Sequence, residues 1–197
     1  RRGRFSGRLE TSGLNLRQIM DDEHWGVVST RINVDGKIPN GTRNTLSGLD
    51  LNVKGIIQRF DYNGYSYSDL AVDGGLHKGI AEGRLSIKDA NITADVKGKV
   101  SLNKGLQSAN FLANVERLNP HALGLTQKYP NAVFSFQTKA DFSGNKLSTV
   151  RGSIDVDHFN MQSPQDSYSL DRLQLLAFSQ QGARTLKMES DFGEVTL

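Results

Sequence analysis

Two acidic groupings in the sequence have the spacing that a reactive or metal-binding site needs. Asp155 and Asp157 lie two residues apart, so in a strand both carboxylates point to one side, as paired carboxylates of hydrolytic enzymes do. The run 21–24 (Asp-Asp-Glu-His) mimics a cluster of metal ligands. However, Ile154 and Val156 alternate against the two aspartates, which favours the solvated side of a strand. For 21–24 we favour a solvated turn between a helix and a strand.

The other groups that catalyse reactions or bind metals are scattered along the chain. Cysteine is absent, which excludes disulfides, thiolate metal sites and cysteine catalysis. No Ser, His and Asp arrangement has a supporting spacing, and the Gly-rich segment 74–79 lacks both the spacing of a phosphate-binding loop and a following helix. The four histidines are far apart: His24, His77, His121 and His158. We therefore expect no enzymatic activity, no metal and no cofactor.

The charge pattern gives little support for nucleic-acid binding. The 24 Lys and Arg residues and 21 Asp and Glu residues are interspersed and leave a net charge of +3. The aromatic segment 60–67 has groups that stack on bases, but packing between neighbouring strands is the commoner use of such residues. The only local basic cluster is Arg1, Arg2, Arg4 and Arg8, where a solvated strand is favoured over an anionic partner. We expect no nucleic-acid partner.

Apolar and polar residues alternate along most of the chain, which predicts β-strands with one wet face. The apolar content of 37% and mean hydropathy of −0.46 agree with such strands rather than with a helix-covered parallel sheet. Gly-containing dipeptides between the alternating runs predict hairpin turns, for example Asp35-Gly36, Asn63-Gly64 and Gly74-Gly75. The sequence thus predicts an all-β fold with antiparallel neighbours.

Two short interruptions of this pattern predict helices. Residues 14–20 place apolar side chains at helical spacing, and residues 119–128 begin with Asn119 as an N-cap and Pro120 at the first helical position. Helices of two turns are not stable alone, so we expect each to lean its apolar side on the sheet.

The order of strand, short helix and strand occurs twice, which indicates an internal duplication. Tyr67 corresponds to Tyr168 in the second copy, and the repeat length is roughly 100 residues. We expect two repeats in one continuous sheet, 1–108 and a shorter 109–197. Chance similarity between β segments is the alternative.

The sequence contains neither a signal peptide nor an apolar run of the roughly 18 residues that a membrane span needs. Residues 1–5 and 193–197 have the pattern of strands. We therefore expect the chain to be an internal segment of a longer protein, with any anchor or targeting signal elsewhere.

Several segments resemble one family of bacterial proteins. These are 7–16 (Gly-Arg-Leu-Glu-Thr-Ser-Gly-Leu-Asn-Leu), 65–70 followed by Asp73-Gly74-Gly75, and 87–92, where Asp89-Ala90-Asn91 leads into the next strand. Together they resemble the repetitive region of the TamB family, the translocation and assembly module subunits, in its Bacteroidetes-type form. That family is similar to the AsmA-like and bridge-like lipid transfer proteins.

The resemblance implies a β-taco, an elongated and curled antiparallel sheet that forms an open trough with an apolar interior. It implies a periplasmic location and a role in phospholipid transport between the inner and outer membranes, in outer-membrane protein translocation and assembly, or in both. The partners it implies are phospholipid acyl chains, the inner membrane through an N-terminal anchor outside this chain, and a BamA-like outer-membrane barrel of the TamA type. It implies no catalytic residue.

The alternating apolar residues are the candidates for the lining of this trough, where burial is worth about 0.8 kcal/mol per CH₂ group. Two other functions remain open: a scaffold that chaperones strands of outer-membrane β-barrel or surface proteins by edge pairing, and an inert spacer whose apolar face closes as a core. The candidates for the lining are Ile32, Val34, Leu49, Leu51, Val53, Leu70, Val72, Leu85, Ile87, Ile92, Val96, Phe134, Phe136, Ile154, Val156, Leu173 and Leu175.

Overall fold

A computed structural model describes residues 3–38, 50–101, 107–144, 150–180 and 183–196. These residues form twelve strands and one four-residue helix. The elements are β1 (Gly3–Asn15), α1 (Arg17–Met20), β2 (Trp25–Ile38), β3 (Asp50–Tyr62), β4 (Tyr65–His77), β5 (Ile80–Lys88), β6 (Ile92–Ser101), β7 (Ser108–Leu118), β8 (Val133–Ser143), β9 (Arg151–Gln162), β10 (Ser167–Gln180), β11 (Ala183–Ser190) and β12 (Gly193–Thr196).

All twelve strands lie in one sheet in the order of the sequence, and each is antiparallel to the next. This confirms the all-β, antiparallel prediction. The predicted turn Asn63-Gly64 joins β3 to β4 with both φ angles positive, at 50° and 80°, as a two-residue hairpin turn requires. The sheet continues from β6 into β7 without a break, so the predicted repeats 1–108 and 109–197 belong to one sheet.

The sheet is open and is not curled into the trough that the resemblance implies. Each described strand pairs only with its neighbours in sequence, and β1 does not pair with β12. The chain exposes 13444 Å² of surface, whereas a compact protein of its mass exposes roughly 9,200 Å². No second sheet packs on either face within the described ranges. The described strands therefore form a single layer that water reaches from both sides.

Of the two predicted helices, the first is present in shorter form and the second is wrong. The first is α1, which ends at Asp21 in a left-handed conformation. In the second, Asn119 caps as predicted, because its Oδ1 accepts a hydrogen bond from the Ala122 N–H at 3.0 Å. Gly124, with φ +70°, ends the helical path after one turn. Leu123 is 1% exposed, so this loop leans on the sheet as expected.

Two glycine dipeptides predicted as turns lie inside strands. Asp35-Gly36 is part of β2 and Gly74-Gly75 is part of β4. The reason is the close approach of neighbouring backbone: a Cβ on Gly36 would lie 2.5 Å from the Asp50 carbonyl oxygen. At these positions glycine allows two strands to pack closely and does not reverse the chain.

The turn between β5 and β6 is fixed by Asp89, a carboxylate that is only 7% exposed. It accepts hydrogen bonds from the Tyr65 hydroxyl, from the Ser68 N–H at 3.0 Å and hydroxyl at 2.9 Å, and from the Asn91 N–H at 2.9 Å. Burial alone would raise the pKa of Asp89, but these hydrogen bonds outweigh it and hold the pKa below the ordinary value of an aspartate. Asp89 thus ties the start of β4 to the next hairpin.

We predict that Asp89→Asn lowers the free energy of unfolding by about 1–3 kcal/mol, because buried donors lose a charged acceptor. Since the folded pKa lies below the unfolded value of about 3.9, the stabilisation is present above that pH and is lost as pH falls through the folded pKa. Urea unfolding monitored across acidic pH measures both effects, and the variant should lose this part of the acid dependence. Asp73→Asn, at an exposed ion pair with Lys54, is the matched control and should change stability by less than about 1 kcal/mol. Equal effects of the two substitutions would contradict the prediction.

Candidate functional site

One side of the sheet, here named the apolar face, carries apolar side chains from every described strand. Partners in antiparallel register point to the same side, so the strand pairs define this face. Leu51 lies opposite Leu76, Val72 opposite Leu85, and Leu85 opposite Val96. From Val96 the row continues through Ala113, Thr138, Val156 and Leu173. The apolar face therefore extends across both predicted repeats.

The described members of the predicted lining all lie on the apolar face. Most are half-buried, whereas Leu70 is buried at 6% exposure and Leu175 is exposed at 40%. Leu49 lies outside the described residues. The residues placed on this face are Ile32, Val34, Leu51, Val53, Leu70, Val72, Leu85, Ile87, Ile92, Val96, Phe134, Phe136, Ile154, Val156, Leu173 and Leu175.

The opposite side, the polar face, carries ion pairs between side chains of neighbouring strands. Because these pairs are exposed, each contributes little to stability, typically below about 1 kcal/mol. Their consequence is a hydrated surface that opposes the apolar face along the sheet. The pairs include Arg31 with Glu10 at 2.7 Å, Lys54 with Asp73 at 2.7 Å, Arg84 with Asp95 at 2.8 Å and Lys99 with Glu82 at 3.5 Å.

A row of glycines interrupts the side chains of the apolar face on three neighbouring strands. Gly74, Gly83 and Gly98 lie in register on β4, β5 and β6, and we name them the glycine row. A Cβ on Gly83 would lie 2.5 Å from the Gly74 Cα, and one on Gly98 would lie 2.4 Å from the Phe111 Cβ. Real Cβ atoms do not come so close to backbone, so only glycine fits here.

The glycine row forms the floor of an open apolar concavity of about 660 Å³. Side chains stand on both sides of it: Leu76 and Val100 toward one end of the strands, and Val72 and Leu85 toward the other. The concavity has no convergent polar groups of the kind that orient a substrate for reaction. Its shape and chemistry fit a flexible hydrocarbon.

Aromatic side chains gather at one margin of the apolar face, where β2 begins and β3 ends. The Trp25 ring lies 5.7 Å from the Phe60 ring and 5.3 Å from the Tyr62 ring, and the Tyr67 ring lies 4.8 Å from the Tyr65 ring. The sequence pattern already favoured packing between strands for these residues, and the ring contacts confirm it. A second group, Phe134, Phe136 and Phe159, lies at the same margin on β8 and β9.

The acidic residues and histidines that could catalyse a reaction or bind a metal do not converge in the described part of the chain. Asp155 and Asp157 lie on the polar face, where Asp155 is 3.8 Å from Arg172 Nη2. His24 pairs with Asp22 at 2.7 Å at an exposed turn. In the part of the chain that the structure describes, no three His, Cys, Asp or Glu side chains converge as metal ligands. Within that part, no helix is long and apolar enough to cross a membrane.

Comparisons with protein-family models, with curated proteins and with solved structures find no match to this chain. The site must therefore be interpreted from its own geometry, which is that of an extended apolar surface with an open concavity over the glycine row.

We predict that Gly83→Ala destabilises the fold by about 1–3 kcal/mol, because the new methyl group would overlap the backbone of β4. Gly7→Ala is the matched control, since Gly7 lies on the same face of β1 and a Cβ there meets no atom within 4 Å. Thermal or urea unfolding of both variants measures the difference. If Gly83→Ala is as stable as Gly7→Ala, the close approach at the glycine row is not a constraint.

Proposed function

We propose that this chain is a non-enzymatic segment of a periplasmic, TamB-like protein whose apolar face holds phospholipid acyl chains during transport between the inner and outer membranes. The observation that carries the proposal is the continuity of the apolar face: every described strand contributes to it, and no second sheet covers it. The resemblance of segments 7–16, 65–70 and 87–92 to the TamB family supports the location and the membrane partners.

The dimensions of the apolar face suit acyl chains. From Leu51 to Phe60 along β3 the face is roughly 30 Å wide, and across twelve strands it is roughly 50 Å long. The hydrocarbon layer of one bilayer leaflet is about 15 Å thick, half of a core of about 30 Å. A phospholipid tail is therefore shorter than the width of the apolar face and fits on it along a strand.

The energetics favour movement over capture. Each CH₂ group removed from water contributes about 0.8 kcal/mol, and rows of Leu, Ile, Val and Phe offer this gain at many neighbouring positions. Because no deep pocket or convergent polar group singles out one position in the described strands, a tail can exchange one row for the next at little cost. Such a surface is a conduit rather than a binding site with one occupant.

A second function is a scaffold for protein strands. β1 has thirteen residues and, within the described residues, pairs only with β2, and a strand that is paired on one side only can accept another strand through its backbone N–H and C=O groups. In that function a client of outer-membrane β-barrel or surface-protein type adds to the edge, and the apolar face is not the principal contact. A chaperoning scaffold and a lipid conduit therefore differ in which atoms touch the cargo.

We predict that photocrosslinking residues at Leu51, Ile87, Phe136 and Ile154 capture phospholipid when the chain is produced in the periplasm of bacteria, because all four lie on the apolar face. Mass spectrometry of the crosslinked protein identifies the adducts. The matched controls occupy the adjacent, polar-face positions of the same strands: Asn52, Ser86, Gln137 and Asp155.

Lipid adducts at the four apolar-face positions and not at the four polar-face positions support the lipid conduit. Equal labelling of the two sets of positions would contradict it. Peptide adducts concentrated at Arg4 and Arg8 of β1, without lipid adducts on the apolar face, would favour the scaffold instead. An apolar face that takes neither lipid nor peptide would leave the inert spacer.

A further inference from the structure

The aromatic residues that combine an apolar ring with a polar group are all at one margin of the apolar face. The chain has five tyrosines and one tryptophan, and the structure describes each of them. Together they form what we name the aromatic margin: Trp25, Tyr62, Tyr65, Tyr67, Tyr129 and Tyr168. No tyrosine or tryptophan lies at the opposite margin, where the chain places Phe5 and Phe142.

The contacts at the aromatic margin connect it both to the apolar face and to polar atoms. Trp25 and Tyr62 pack edge to face on β2 and β3, and Tyr168 lies in register with Met161 and, through it, with Phe134. The Tyr65 hydroxyl donates to Asp89 and accepts from Asn91 at 3.1 Å, so its polar end lies at the turn and its ring on the sheet. Tyr62, Tyr129 and Tyr168 are between 39% and 59% exposed.

Tyrosine and tryptophan prefer a boundary between an apolar and a wet environment, because the ring is apolar and the O–H or N–H needs a polar partner. If the apolar face only closed on itself as a core, its tyrosines and tryptophan could lie at either margin. If the face binds phospholipid, these residues belong at one margin, because a phospholipid has one polar end and one apolar end.

Resting on the proposed function, we infer that phospholipids lie on the apolar face with a fixed polarity. Their glycerol and headgroup regions lie at the aromatic margin, and their tails run along the strands toward the glycine row. The width of the face permits this orientation: Gly74 is seven residues from Tyr67 along β4, roughly 24 Å. This exceeds the roughly 15 Å of hydrocarbon in one leaflet, so tails that start at the aromatic margin end on the apolar face before they reach the glycine row.

Trp25 is the only tryptophan and lies in the aromatic margin, so the unmodified protein contains a reporter of lipid orientation. The experiment loads the chain with phosphatidylcholine brominated either near the carbonyl end or near the methyl end of its tails, and removes free lipid by gel filtration. Bromine quenches tryptophan fluorescence at short range. We expect a larger loss of Trp25 fluorescence with the carbonyl-end bromines.

A matched reporter at the opposite margin is Phe142→Trp in a Trp25→Phe background. Phe142 lies on the apolar face and meets the Phe111 ring edge to face at 6.4 Å. There the methyl-end bromines should cause the larger loss. Phe5→Trp in the same background replaces it if the first double variant does not fold, since Phe5 lies at the same margin.

The outcomes separate this inference from the proposed function. Opposite orders of quenching at the two margins support the fixed polarity. The same order at both margins, or the reverse order at each, overturns the polarity and leaves lipid binding intact. Absence of quenching by either lipid at both margins overturns the polarity and the proposed function together.

Discussion

The whole sheet depends on the register of its strand pairs, because a slip of one residue would move the side chains of a strand from one face to the other. The same register pairs charged residues on one face and apolar residues on the other. Lys54 lies opposite Asp73 on the polar face, and Leu85 lies opposite Val96 on the apolar face. Two strands contain a non-glycine residue with positive φ: Asp69 in β4 at 51° and His158 in β9 at 53°. Beyond each of them the alternation is displaced by one residue, so Tyr67 pairs with Phe60 and Phe159 packs on Phe136 on the apolar face.

This constraint explains how much of the molecule could be predicted from the sequence. Alternation is a local property, so the strands and the face of residues such as Leu51 and Ile154 follow from spacing alone. Asn63-Gly64 was recognisable as a turn because both of its residues tolerate positive φ. Within each strand, residues two apart point to the same side, so the sequence spacing also predicts which lining candidates of one strand share a face.

What spacing could not predict depends on atoms from other strands. Gly36 and Gly74 resemble turn glycines in the sequence, but the carbonyl groups of Asp50 and Glu82 in neighbouring strands require them. The predicted helix at 119–128 had correct initiation residues, and only the left-handed Gly124 shows that it stops after one turn. The open shape differs from the curl implied by the resemblance, because alternation specifies which side is apolar and not how far the sheet bends.

The site differs from an enzyme cleft in the distribution of its chemistry. A cleft concentrates polar groups at one point, whereas here the polar groups lie on the far side of the sheet and the apolar groups repeat from strand to strand. The glycine row and the aromatic margin are the two departures from this uniformity. The glycine row removes side chains from part of the face on β4, β5 and β6, and the aromatic margin places amphipathic rings along one boundary of the face.

The sequential strand order has a consequence for how the chain folds. Each described strand pairs with strands that are adjacent in sequence, so a native contact needs only the closure of the loop between two neighbouring strands, of which the loop 119–132 has fourteen residues. Sheets usually fold slowly because their contacts are non-local, but this sheet can grow hairpin by hairpin from any starting point. In this respect it resembles a linear array, in which each unit contacts only its neighbours and we expect one hairpin to open without disturbing distant strands.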